Sequence, residues 1–79
     1  METGTVIYYG IPCQFTYTKA PDFNGYVCRL TESGIEFTIY LDKDGNLYRY
    51  EPYLLVQDFL VIQALHEIQN AESTIKKSQ

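Results

Sequence analysis

The chain has 79 residues and a mass of 9.2 kDa, with ten carboxylates against six basic side chains for a formal charge of −4. That is short of the usual ~100–150-residue domain, so residues 1–79 form one small domain and a multidomain enzyme is excluded. A hydrophobic share of 46% with only 20% charged residues excludes a disordered chain.

Residues 5–11 (Thr5, Val6, Ile7, Tyr8, Tyr9, Gly10, Ile11) are β-branched and aromatic, types that fit a pleated surface. Pro12 interrupts them, and Phe15 and Tyr17 then alternate with polar residues. Residues 14–18 are therefore either a second strand or a continuation past an edge bulge. Pro21, Asp22, Asn24 and Gly25 mark a loop. Residues 26–30 restore a strand pattern, and Glu32, Ser33 and Gly34 make a tight connection to the next segment. There Ile35, Phe37, Ile39 and Leu41 fall on one face while Glu36, Thr38 and Tyr40 fall on the other, the period of two of a strand with one side on a core. The polar stretch 42–46 predicts a turn, and residues 47–50 the returning strand of a hairpin.

Glu51 and Pro52 suit the first turn of a helix: a carboxylate favours its positive end, and proline lacks an N–H that has no partner there. No Gly or Pro follows, so a helix is expected over 51–73, with 74–79 as a frayed tail. Leu54, Val61, Leu65 and Ile68, flanked by Leu60 and Ala64, form an apolar face at helical spacing. Leu55, Phe59 and Ile62 form a second stripe that ends at His66. Either a strongly curved sheet wraps this second stripe or it joins subunits. The second is expected, because a small protein gains core by oligomerising. The expected architecture is α+β, with a β-rich region over 5–50 folded as an antiparallel sheet of three or four strands under one long C-terminal helix.

Motifs for chemistry are sparse. Asp42, Asp44, Gly45, Leu47 and Glu51 match positions of a calcium-binding helical-hand loop, but the carboxylate required at its first position is replaced by Tyr40, and the preceding segment alternates like a strand. A β-turn with an Asx side chain accounts for the same residues. Cys13 and Cys28 have no neighbouring Cys or His at a zinc-ligand spacing, and His66 is the one histidine. The five glycines are isolated, which gives no phosphate loop. No cofactor, metal or catalytic residue is assigned. Lys19, Arg29, Lys43 and Arg49 are scattered, so direct nucleic-acid binding is disfavoured. No segment approaches ~18 apolar residues, so no membrane span is expected. The Met1–Glu2–Thr3–Gly4 start lacks a secretory pattern, so a cytoplasmic location with both thiols reduced is expected.

Eight tyrosines combine large contact area with a polar tip, a chemistry that favours interface centres and half-buried sheet surfaces alike. Tyr48 and Tyr50 are expected on one strand face, opposite Tyr40. The expected function is that of a small non-enzymatic protein-interaction domain, a regulator or inhibitor of a larger protein. Tyr40, Tyr48 and Tyr50 would contact the partner, and Leu55, Phe59, Ile62 and His66 would join a homodimer through the C-terminal helix. Two alternatives stand beside it. Glu32, Glu36, Asp42, Asp44 and Glu51 could block the nucleic-acid groove of a basic protein. A cysteine and His66 could meet in the pocket of a small enzyme.

Overall fold

The computed structural model describes residues 1–52 and 56–77. Five strands, β1 (Glu2–Tyr8), β2 (Ile11–Lys19), β3 (Gly25–Leu30), β4 (Glu36–Leu41) and β5 (Leu47–Glu51), precede one helix, α1 (Asp58–Lys77). Each strand pairs antiparallel with the next, giving a meander in the order β1-β2-β3-β4-β5. The expected α+β class holds, with one strand more than the three or four read from the sequence.

The extra strand comes from the segment around Pro12. Tyr9 and Gly10, both at positive φ (51° and 78°), make a two-residue hairpin between β1 and β2, the geometry whose twist matches that of paired strands. Pro12 thus sits inside β2, opposite Ile7. Ladder groups alternate sides along an antiparallel strand. The Gln14 carbonyl, two residues on, accepts from Thr31 N–H on the β3 side, so the Pro12 nitrogen also points away from β1. The β2–β3 ladder begins only at Phe15 and Leu30. Proline therefore costs no ladder bond there.

One face of the sheet is lined by Val6, Phe15, Tyr17, Tyr26, Cys28, Leu30, Phe37 and Ile39, all buried. Val56, two residues before the helix, and Leu60, Val61, Ala64, Leu65 and Ile68 of α1 cover it. The apolar face read at helical spacing is therefore core, except for Leu54, which lies outside the described residues. Two close approaches demand glycine. A Cβ on Gly25 would stand 2.0 Å from the Ile39 carbonyl oxygen, and one on Gly4 would stand 2.7 Å from the Phe15 ring.

The helix begins later than its sequence suggests. Glu51 remains in β5, paired with Thr38, and α1 starts at Asp58, where the Gln57 carbonyl accepts from the Leu60 and Val61 N–H groups. Asp58 supplies the first-turn carboxylate that Glu51 was expected to supply. At the other end the helix continues through residues 74–77, part of the expected frayed tail.

Helix and sheet edges are closely tied. At the start of α1, Gln57 donates to the Tyr9 hydroxyl while its neighbour Asp58 accepts from the Tyr50 hydroxyl of β5. Further along, Gln69 donates to the Gly45 carbonyl at 3.0 Å and Tyr26 donates to Glu72 at 2.6 Å. Five flat strands would span about 19 Å at ~4.8 Å per interval. Contacts from two adjacent residues to both sides of such a sheet show that it curls around the helix.

Candidate interaction surface

The hairpin turn at Tyr9 and the first turns of α1 build an exposed aromatic and aliphatic surface. Tyr8 and Tyr9 meet edge to face at a centroid distance of 4.7 Å, and Phe59 lies 5.9 Å from Tyr8 and 5.8 Å from Tyr9. One helical turn on, Ile62 is 57% exposed and faces Ile7, itself 47% exposed, across a groove. Ile11, paired with Tyr8, adds a further exposed aliphatic side chain. The curled sheet thus wraps the second helix stripe only in part: Tyr8 and Tyr9 pack on Phe59, whereas Ile62 projects. Leu55, the first residue of that stripe, lies outside the described residues.

The groove has a volume of about 470 Å³ and is lined by Thr5, Ile7, Ile62, Gln63, His66 and Glu67. Its floor is the free edge of the sheet. Ile7 N–H donates to Gln63 Oε1 at 3.0 Å and the Ile7 carbonyl accepts from Gln63 Nε2 at 2.7 Å. A carboxamide carries the same donor and acceptor pair as a peptide group, so Gln63 stands where a sixth strand would bond. His66 lines the same groove and is exposed.

The tyrosines expected to act together are separated. Tyr40 lies on the outer face, stacked on Phe23 at 4.6 Å and under the Arg49 guanidinium at 4.6 Å, and its hydroxyl donates to Glu51 at 3.2 Å. Tyr50 pairs with Ile39, turns toward the core and donates to Asp58. A register shift between Tyr40 and Leu41 leaves Tyr48 unpaired at a bulge and 72% exposed. The bulge reverses the alternation on which a shared face for Tyr48 and Tyr50 depended. Nothing in the sequence marks its position. Tyr9 and Gln63, the residues that build the surface actually present, carry only weak signals: Tyr9-Gly10 is an unusual hairpin pair, and glutamine is common on helices.

The two cysteines and His66 are not brought together. Cys28 is buried in the core, where desolvation pushes its thiol up to about 12. Cys13 lines a separate recess of about 100 Å³ with Tyr8, Gln14, Leu30, Glu32 and Ser33, and its thiol donates to the Ile11 carbonyl at 3.5 Å. The turn that resembles a calcium loop spends the Asp42 carboxylate on the Asp44 and Asn46 N–H groups, at 2.9 and 3.0 Å. Among the described residues no group of three or more His, Cys, Asp and Glu could hold a metal ion. No helix among them is long and apolar enough to cross a membrane.

The carboxylates that suggested a nucleic-acid-groove blocker are dispersed. Glu32 lies at one end of the sheet and Asp42 and Asp44 at the other, while Glu36 and Glu51 have basic neighbours on the outer face in Arg29 at 4.0 Å and Arg49 at 2.5 Å. Comparison of the chain with protein-family models, curated proteins and solved structures finds no match.

Proposed function

We propose that this chain is a non-enzymatic protein-interaction domain that self-associates through the surface made by the β1–β2 turn and the start of α1. One observation carries this reading. Ile7, Tyr9, Phe59 and Ile62 are all exposed, Tyr9 lying against Phe59 and Ile7 sharing a groove with Ile62 one helical turn on, and hydrogen bonds from Gln57 and Gln63 hold the two sides in place. A domain with so small a core gains most from burying such a surface against a second copy, because a two-fold axis lets each apolar side chain serve twice. The domain would act as a regulatory or structural subunit, and its place would be the cytoplasm, where Cys13 and Cys28 stay reduced.

The test is absolute mass in solution over a concentration series for the wild type and Ile62→Glu, with circular dichroism to verify folding. The wild type is expected to rise from 9.2 kDa toward twice that mass, and the folded variant to stay monomeric. A wild type that remains monomeric throughout rejects self-association.

A further inference from the structure

The free edge of β1 is only partly closed. In an antiparallel ladder the N–H and C=O of one residue point to the same side, and the side alternates along the strand. Ile7 directs both groups outward, to Gln63. Thr5 and Thr3, two and four residues earlier in the same strand, therefore direct theirs outward too. They face Gln14 and Thr16 across β2, and both are exposed. Neither has a hydrogen-bond partner among the described residues, so the edge presents an open row of donors and acceptors.

Beside this row lies a groove that is apolar at one end and acidic at the other. Ile7 and Ile62 form the apolar end; α1 runs from Gln57 beside Tyr9 to Gln63 beside Ile7, so Glu67, one turn on, lies toward Thr5. Glu2 is paired with Tyr17, and Glu72, which accepts from Tyr26, lies further along α1. Burial raises the pKa of the Tyr17 phenol most, and the Glu2, Glu72 and Glu67 carboxylates raise it further. Glu2 and Glu67 have no ion pair among the described residues.

We infer that the β1 edge at Thr3 and Thr5 accepts an extended segment of a partner protein, basic at one end and apolar at the other, as a sixth strand lying against α1. Main-chain hydrogen bonds to Thr3 and Thr5 give the affinity, as in other strand additions, and alternate side chains of the segment reach the groove. Lysine or arginine on the segment meets Glu2 and Glu67, and a small apolar side chain fits between Ile7 and Ile62. Charge selects against a second copy at this edge, because a second β1 edge would bring its own Glu2 and Glu67 and no lysine or arginine on its strand. The inference goes beyond self-association, with which it shares Ile7 and Ile62: the segment and a second copy compete for that end of the groove, and failure of self-association leaves the inference standing.

The test is fluorescence anisotropy with three labelled peptides of equal length. One alternates lysine and valine, one alternates glutamate and valine, and one repeats the lysine–valine sequence with alternate backbone nitrogens methylated. Thr5→Pro removes one outward N–H and no β1–β2 ladder bond, so it should fold; Glu67→Lys reverses the charge of a half-buried residue on the groove wall. The lysine–valine peptide is expected to bind the wild type and to weaken at least about tenfold against each variant. The methylated and acidic peptides should weaken as much. Undiminished binding of the methylated peptide, or undiminished binding to Thr5→Pro, would show charge attraction without strand addition and overturn the inference. So would no binding of the lysine–valine peptide at about millimolar concentration. If Thr5→Pro by itself converts a wild-type dimer to a monomer, a second copy occupies the edge and the basic partner is overturned.

Discussion

Gln63 closes the edge of β1 by giving Ile7 both hydrogen bonds that a neighbouring strand would give, at 3.0 and 2.7 Å. The consequence can be read residue by residue in amide exchange. Gly4 and Val6 bond inward to β2 and should be protected, Thr3 and Thr5 should exchange fast, and Ile7 should be protected through Gln63 alone. Gln63→Ala is expected to release the Ile7 amide while Val6 stays slow. Its cost in urea unfolding should be about 1 kcal/mol, because water can replace the lost bonds at an exposed edge. Slow exchange at Thr5 in the wild type would mean that the edge is already covered.

Tyr9 separates stability from interaction. It occupies a positive-φ position in a two-residue hairpin, where asparagine or glycine is the relaxed choice, and it is 65% exposed. Tyr9→Asn relieves backbone strain on the order of 1 kcal/mol and loses ring contacts with Tyr8 and Phe59 of similar size. Thermal stability should therefore change little. Self-association should nevertheless fall, because the variant removes an exposed ring from the apolar surface. A Tyr9→Asn protein with wild-type mass at every concentration would remove Tyr9 from the interface.

Strands and core were legible wherever alternation continued to a turn rich in Gly, Asn or Asp. Phe37 and Ile39 are buried as their spacing required, and so are Leu60, Val61, Ala64, Leu65 and Ile68. Two kinds of information were not legible. Pro12 carries the signal of a strand break, and only the ladder geometry shows that its nitrogen faces the side without a partner. The helix start was misplaced because Glu51 and Pro52 have the chemistry of a first turn, while cross-strand pairing of Glu51 with Thr38 holds them at the end of β5. The site suffered most. Periodicity singled out Phe59 and Ile62 correctly as a stripe separate from the core face, but their neighbours Tyr9 and Ile7 come from the other end of the chain, and one bulge redistributed Tyr40, Tyr48 and Tyr50.

Gly25 tests how tightly the sheet is packed at its β3–β4 end. A methyl group at this position would have to share space with the Ile39 carbonyl oxygen at 2.0 Å, a backbone atom that cannot swing aside. Gly45, at φ 83° with open space around it, pays only the strain of a positive φ when substituted. Gly25→Ala should destabilise by about 3 kcal/mol or more in chemical denaturation, and Gly45→Ala by about 1 kcal/mol. Equal costs at the two sites would contradict the close approach of β3 and β4.

Alkaline pH should unfold the domain through groups that hold their protons more tightly when folded. Burial pushes the Cys28 thiol from its ordinary 9.0 up to about 12. Tyr26 is raised from 10.0 by burial and by its hydrogen bond to Glu72, and Tyr17 by burial and the nearby Glu2 and Glu72 carboxylates. Each folded pKa lies above its unfolded value, so the unfolded chain binds fewer protons and stability must fall as pH rises. The stabilisation is complete below about pH 9 and lost progressively from there to about 12. Urea midpoints measured from pH 7 to 11 should hold steady at first and then decline, and Cys28→Ala should flatten the early part of the decline. In the native protein at pH 8, a thiol reagent should modify half-buried Cys13 and spare Cys28 until urea is added. Fast labelling of Cys28 in the folded chain would show that the core around Phe37 and Tyr17 opens without global unfolding, and would break the link between burial and the alkaline transition.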